Sequence, residues 1–357
     1  MVNMQYTDFY RGKNVLVTGH TGFKGAWLTT WLTMLGADVH GYSLPPDTEP
    51  SLHTLLGPGR VDEKLADIRD FPVLRNYVEA TRPDIVIHLA AQSLVRRSYA
   101  DPLGTYGTNV MGTVNLLEAV RQAGTARAIL VITTDKVYRN NEWVWSYREN
   151  DALGGHDPYS SSKACTELAA QSYYDSFLRE EGETVLATAR AGNVIGGGDW
   201  CEDRIIPDCV RALQNEEEIQ VRSPKSVRPW QHVLEALNGY LLLVKNLWQL
   251  GDVMSGAWNF GPSSENMATV EDLVDLFLDQ WGSGSWIDIS GGKTPHEAAM
   301  LTLSSEKAQK YLQWQYVYDF KRSVEETASW YRRFCGGEKD MLAVTRAQIE
   351  EYMRAGQ

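Results

Sequence analysis

Asn14-Val15-Leu16-Val17-Thr18-Gly19-His20-Thr21-Gly22-Phe23-Lys24-Gly25 decides the fold. Asn14 to Thr18 is a short apolar run of buried-strand type. Three glycines follow at G-x-x-G-x-x-G spacing, and a helix pattern then runs through Leu35. A strand, a glycine-rich turn and a helix in that order form a dinucleotide cradle. The glycines let the backbone approach a pyrophosphate, and the helix start offers N–H donors and positive partial charge. Gly19, His20, Thr21, Gly22, Phe23, Lys24 and Gly25 are therefore the candidate cofactor loop. The competing reading is a tight strand-to-helix turn with no ligand.

Strands and helices alternate outward from this stretch. Asp38–Tyr42 is the second strand, and its end, through Ser43 to Pro46, carries neither a carboxylate nor a base. No Arg or Lys precedes Arg60 there, so a 2′-phosphate lacks a partner. NAD is favoured over NADP, with Ser43 as the ribose contact. Leu65-Ala66-Asp67-Ile68 ends a third strand, and Asp67 either meets the adenine amine or caps the next helix. Ile85–Leu89 is the fourth strand. Leu89, Ala90, Ala91 and Gln92 are small or neutral enough for a cofactor to lie close, and Ser93 faces the substrate. A helix from about Leu103 to Ala123 carries Asn109 in its middle. Asn is a poor interior helix residue, which suggests a hydrogen-bonding task as an alternative to mere surface exposure.

Ala128–Ile132 is the next buried strand. It releases Thr133, Thr134, Asp135 and Lys136 at its C-terminal end, where open α/β sheets bind ligands. Tyr159-x-x-x-Lys163 follows Pro158, a favoured first-turn residue, so phenol and ammonium share a helix face. An ammonium beside a phenol favours the phenolate, lowering its pKa from about 10 towards neutrality. The ordinary alternative is a surface pair. The helix runs to about Glu181, with Ala164, Leu168 and Ala169 on its apolar face, and Thr184–Arg190 is another strand.

Residues 1–195 thus read as an α/β domain with a doubly wound parallel sheet of Rossmann type. Tyr6, Phe9 and Tyr10 of the Met1–Gly12 lead-in are expected to pack on it. Residues 196–357 read as a smaller mixed α/β lobe for substrate, with exchange of a strand and helix back to the first domain left open. Trp258-Asn259-Phe260 is assigned to that lobe. Asn193 lies in the loop that enters it, and Arg204, Arg222 and Arg228 suit bidentate holding of a diphosphate.

At 357 residues, 43% hydrophobic and 22% charged, the chain can bury a large core. A net charge of −12 argues against a nucleic-acid partner. No apolar run is long enough to span a membrane, and no apolar leader precedes Arg11. Cys165, Cys201, Cys209 and Cys335 lack metal-site spacing and read as reduced thiols in a cytoplasmic protein. No metal-ligand cluster is expected. The twelve Trp are assigned to packing.

As a set, the glycine turn, Leu89-Ala90-Ala91-Gln92, Asn109, Tyr159-x-x-x-Lys163 and Asn193-Val194-Ile195-Gly196 resemble the extended short-chain dehydrogenase/reductase family over nearly the whole chain. The resemblance implies that Tyr159 is the catalytic base, that Lys163 holds the nicotinamide ribose, and that Thr134 bonds the sugar hydroxyl being oxidised. Thr134-Asp135-Lys136 sits where the family's nucleotide-sugar 4,6-dehydratases carry Thr-Asp-Glu. With the glycine turn, the Lys resembles the CDP-glucose branch. That implies NAD-dependent oxidation at carbon 4, loss of water across carbons 5 and 6, and return of hydride to carbon 6. Asp135 is then the acid for the departing hydroxyl. Lys136 acts in elimination and not in oxidation, as a base if neutral or as an enolate stabiliser if charged. The same resemblance implies a homodimer or homotetramer and a place in deoxysugar supply for O-antigen and lipopolysaccharide. Two other readings fit these residues: a 4-epimerase of the same fold, and a redox-silent NAD-binding regulator. The intact Thr134, Tyr159 and Lys163 argue against the regulator.

Overall fold

The apolar runs become strands that are buried on both faces, as a parallel sheet covered by helices requires. The computed structural model describes residues 6–57, 59–182, 184–262, 267–291 and 301–356. The first half contains β1 (Asn14–Thr18), β2 (Asp38–Ser43), β3 (Asp62–Leu65), β4 (Ile85–His88), β5 (Ala128–Ile132) and β6 (Val185–Arg190). Its helices are α1 (Phe23–Met34), α2 (Leu52–Leu55), α3 (Phe71–Thr81), α4 (Val95–Ala100), α5 (Pro102–Tyr106), α6 (Gly112–Ala123), α7 (Pro158–Tyr173) and α8 (Arg179–Glu181). The second half adds the short strands β7 (Val194–Ile195), β8 (Ile219–Val221), β9 (Val227–Arg228), β10 (Gln231–His232), β11 (Gly256–Asn259), β12 (Ala268–Thr269) and β13 (Trp286–Asp288). It also adds α9 (Ile205–Gln214), α10 (Val233–Leu250), α11 (Val270–Trp281), α12 (Glu306–Leu312), α13 (Phe320–Cys335) and α14 (Met341–Ala355).

Seven strands form one parallel sheet in the order β11-β6-β5-β4-β1-β2-β3. The order reverses between β1 and β4, which opens the crevice where such sheets take ligands. One face is covered by α1, α10 and the C-terminal helices, in a core that includes Trp27, Trp31, Leu237, Leu241 and Trp330. The other face is covered by α3, α6 and α7 through Leu74, Val78, Leu116, Leu117 and Ala170. Tyr6 and Tyr10 of the lead-in are fully buried, and Tyr6 donates to Asn238 Oδ1 at 2.6 Å. Met1–Gln5 lie outside the described residues.

Four local readings are corrected. Trp258 and Asn259 belong to β11, which pairs with β6 at the edge of the main sheet. The third strand ends at Leu65, and the cap of α3 is Asp70, whose carboxylate accepts from Val73 N. The helix from Leu103 to Ala123 is interrupted by a π-turn at Gly107–Met111 that contains Asn109. Leu168 is 61% exposed, so the apolar face of α7 runs through Ala164 and Ala170 instead.

Candidate active site

The chain leaves β5 in a tight 3-10 turn, Asp135–Val137, capped by the Thr134 hydroxyl. That turn bunches three polar side chains. Thr134 Oγ1 donates to Asp135 Oδ1 at 2.8 Å, and Lys136 Nζ lies 3.4 Å from the same oxygen. Asp135 is 1% exposed, and its Oδ2 is buried with no partner among the described residues. A buried unpaired acceptor is costly, so this oxygen is free to serve a ligand. Gly192 makes that possible, because a Cβ there would sit 2.0 Å from Oδ2.

Helix α7 supplies the facing wall. Asp157 caps it by accepting from Ser160 N at 2.9 Å, and Pro158 opens it. Tyr159 and Lys163 are both buried on its inner face. Lys163 Nζ donates to the Ile132 carbonyl at 3.1 Å, which ties the helix to the end of β5. Burial lowers the Lys163 ammonium to about 8. Burial also raises the Tyr159 phenol above its ordinary value, and the opposing influences are the Lys136 ammonium and then the Thr134 hydroxyl. This corrects the expectation that Lys163 drives the phenol down. Lys163 is aimed at the β5 carbonyl, whereas Lys136 faces the phenol across the pocket. Lys136 keeps 38% of its side chain exposed.

A buried network supports this wall. Glu167, one turn beyond Lys163, accepts from Arg190 Nε at 2.9 Å and Nη2 at 3.0 Å. It also accepts from Thr188 Oγ1 at 2.6 Å and from the Thr133 hydroxyl. Arg190 continues to Tyr138 OH at 2.7 Å. A bidentate guanidinium–carboxylate pair fixes geometry as well as charge. Thr133 thereby faces the support and not the pocket. Sequence reading missed Glu167 and Arg190; their signal was a charged residue within each of two otherwise buried elements.

The nucleotide end is built around the glycine turn. Gly19 adopts φ +73°, and a Cβ on it would meet Ala90 N at 2.6 Å, so the turn lies directly on the β4 loop. Gly22 precedes α1 without a side-chain cap, and no acidic residue occupies the first turn. The α1 N–H groups are therefore open to an anion, which suits a pyrophosphate. Lys24 stands in that turn, lowered to about 8 by burial and by Arg204. Ser43 Oγ shares a 2.8 Å hydrogen bond with Thr21 Oγ1 at the end of β2. Asp67 is gripped by Arg69, including a 2.6 Å contact from Nη2, and Ile68 is buried in the core below Gly112. The glycine turn, the open α1 N–H groups and the Thr21–Ser43 pair fit a dinucleotide; Asp67 and Ile68 are engaged within the protein.

Asn109 is 1% exposed and spends its amide on the protein. Its Oδ1 accepts from Gln92 N at 2.8 Å, and Nδ2 donates to Gln92 O at 3.0 Å and to Ser162 Oγ at 2.8 Å. It joins the β4 loop to α7, and the π-turn points it there. Gln92 closes its own loop through Leu94 and Thr105. Leu89, Ala90 and Ala91 line the same loop, half-buried.

On the substrate side, Arg204 Nη1 bonds Asp199 Oδ2 at 2.7 Å, while Nη2 is 3.3 Å from Ser93 Oγ. Its charge acts on both Tyr159 and Lys24, so Ser93, Arg204 and the catalytic cluster come together. Arg222 is paired with Asp203 at 2.8 Å, an aspartate also held by Arg96 at 3.1 Å. Arg228 lies on β9 and donates to Val227 O. Asn193 takes a left-handed φ of +46° at the exit of β6.

The reversed sheet order, the glycine turn and the Tyr159–Lys163 helix define an extended short-chain dehydrogenase/reductase of the nucleotide-sugar type. The family model for GDP-mannose 4,6 dehydratase matches residues 16–327, and the chain belongs to that family. It is 48% identical over 354 residues to CDP-glucose 4,6-dehydratase of Salmonella typhimurium, covering 98% of each chain. It is 31% identical to dTDP-glucose 4,6-dehydratase of Streptomyces antibioticus, covering 89% of this chain and 92% of that one. Among solved structures, a dTDP-glucose 4,6-dehydratase of Streptomyces venezuelae with NAD bound superimposes with a TM-score of 0.78 at 25% identity, covering 90% and 98%. A UDP-glucose 4-epimerase of Thermotoga maritima shares the fold at a TM-score of 0.75 and 21% identity, covering 90% and 99%.

Proposed function

We propose that this chain converts CDP-D-glucose to CDP-4-keto-6-deoxy-D-glucose with NAD as its cofactor. The observation that carries the reading is the Thr134–Asp135–Lys136 cluster facing Tyr159, in a chain nearly half identical, end to end, to a CDP-glucose 4,6-dehydratase. An epimerase needs the Tyr and Lys of α7; elimination of water also needs an acid and a base beyond them.

NAD⁺, held by the glycine turn and Lys163, would supply an acceptor for hydride from carbon 4 and a donor of hydride to carbon 6. Tyr159 takes the carbon 4 hydroxyl proton, with Thr134 holding that hydroxyl; the Lys136 charge favours the phenolate, which widens the expectation that Lys136 acts only in elimination. The ketone acidifies carbon 5. A proton passed from Lys136 to Asp135 across their 3.4 Å contact leaves a neutral amine that removes the carbon 5 proton and a carboxylic acid that gives its proton to the carbon 6 hydroxyl, which leaves as water. Protonation at carbon 5 accompanies hydride return. Lys163 holds the nicotinamide ribose. The absence of a base at the end of β2 favours NAD over NADP.

The division of labour follows residues 1–195 for cofactor and 196–357 for substrate, with β11 and α10 completing the first. Ser93, Asn193, Arg204, Arg222 and Arg228 hold the nucleotide diphosphate sugar. The chain pairs through α5, α6 and α7, a reading supported by exposed Leu103, Met111 and Leu168 on that side. Four free cysteines support a cytoplasmic location. The test is incubation with CDP-glucose and NAD⁺. A product lighter by one water supports the reading; an isomer of unchanged mass would make the chain an epimerase.

A further inference from the structure

Beneath the glycine turn lies a second cluster that the dehydratase chemistry does not use. His20, from the turn itself, points its Nε2 at Glu63 Oε2 of β3, 2.6 Å away. His53 of α2 brings its own Nε2 to 3.3 Å from the same oxygen. The two imidazole rings meet edge to face, with centroids 5.4 Å apart. The side chains are 1%, 11% and 22% exposed for His20, His53 and Glu63. Gly41 makes the cluster possible. It is the cross-strand neighbour of Glu63, and a Cβ on it would lie 2.6 Å from the His20 ring.

We propose that His20, His53 and Glu63 form a binding site for a divalent transition-metal ion such as Zn²⁺. All three donor atoms lie within 4.8 Å of one another. Two imidazole nitrogens and one carboxylate oxygen are a set that suits Zn²⁺, with water at the fourth position. Tetrahedral ligation at metal–ligand distances of about 2.0–2.2 Å places neighbouring donors roughly 3.3 Å apart. The His53–Glu63 pair stands at 3.3 Å already. The His20–Glu63 contact must open from its 2.6 Å hydrogen bond, a swing of the carboxylate by less than about 1 Å.

Both Nδ1 atoms are buried away from the cluster, and the two Nε2 atoms are the ring nitrogens aimed at Glu63. The guanidinium of Arg60 also acts on the cluster and weakens its pull on a cation. An ion there would pin the nucleotide turn to α2 and β3, because His20 is part of that turn.

The experiment uses the full chain stripped of metal by a chelator, then titrated with Co²⁺ while its visible d–d bands are followed. One equivalent per chain should generate tetrahedral-type absorption, and Zn²⁺ should displace it and raise Tm. His53→Ala and Glu63→Gln should each weaken Co²⁺ binding by at least about tenfold and remove most of the Zn²⁺-dependent rise in Tm. His156→Ala, outside the cluster, should bind as the parent does. His20 is spared because its loss would disturb the turn itself. A parent protein that takes up no stoichiometric Co²⁺, or His53 and Glu63 variants that bind it unchanged, would overturn the proposal. Activity plays no part in the readout, so failure here is separate from failure of the dehydratase reading.

Discussion

Glu235 gives a sharp stability prediction. It is fully buried in the first turn of α10. Its Oε1 accepts from Val317 N at 3.0 Å and Tyr318 N at 2.7 Å, and its Oε2 from Tyr352 OH at 2.9 Å. The carboxyl therefore staples α10 to the segment before α13 and to α14. Burial pushes its pKa up to about 8, against the pull of those three donors. The folded value is raised above the unfolded one, so its contribution to stability is complete below about pH 4.5 and is lost as pH rises through about 8. A rise of that size is worth of order 5 kcal/mol across the window. Glu235→Gln keeps an acceptor for Val317 and Tyr318 but cannot ionise. It should be about 1 kcal/mol less stable than the parent near pH 5, because the amide N–H is poorly placed. Above about pH 8 it should be several kcal/mol more stable. Urea unfolding of both proteins across this range measures the difference, which cancels every other titrating group. Two stability curves that run parallel from pH 5 to 8.5 would refute the reasoning.

Tyr159→Phe should retain NAD binding while hydride transfer falls by about 10²–10⁴-fold; stopped-flow absorbance of the reduced cofactor reports it, and turnover above half the parent value would make Tyr159 a packing residue. Lys136→Ala should slow loss of water, read by solvent deuterium entry at carbon 5. It should also move the alkaline rise of hydride transfer upward in pH, since Lys136 is the charge that favours the Tyr159 phenolate; an unshifted profile would confine Lys136 to elimination. Gly192→Ala would place a Cβ 2.0 Å from Asp135 Oδ2. Displacing that carboxyl by about 1 Å should lower turnover by roughly 10²-fold, with NAD affinity unchanged by calorimetry; parent-like turnover would show that Asp135 need not sit where it does.

The sheet was legible because its strands are apolar runs separated by helix-period segments, and the glycine turn fixes which strand comes first. Periodicity could not show that β11 rejoins the main sheet. Gly256–Asn259 is only four residues long, and its place is decided by pairing with β6, a contact distant in sequence. The π-turn at Asn109 was legible only as a poor helix residue in a helix. Tyr159 and Lys163 were found by spacing, yet the direction of the phenol's pKa was misjudged, because an i,i+4 interval does not say where the Lys side chain ends. Lys163 reaches Ile132 O instead. Glu167 and Arg190 escaped because each lies in a different element, and their significance is their 2.9 Å meeting. The His20–His53–Glu63 cluster escaped for the same reason: its members come from a turn, a short helix and a strand.

The central claim is that Tyr159, Asp135 and Lys136 act in sequence on one sugar. Its most direct test uses CDP-glucose carrying deuterium at carbon 4, incubated with the protein and NAD⁺, with product read by mass spectrometry and NMR. The account predicts loss of one water and deuterium at carbon 6 of the 4-keto-6-deoxy product, with thymidine-, GDP- and UDP-linked glucose turned over far more slowly. Deuterium returned to carbon 4 in a product of unchanged mass, or equal kcat/KM for thymidine-diphosphoglucose, would contradict it.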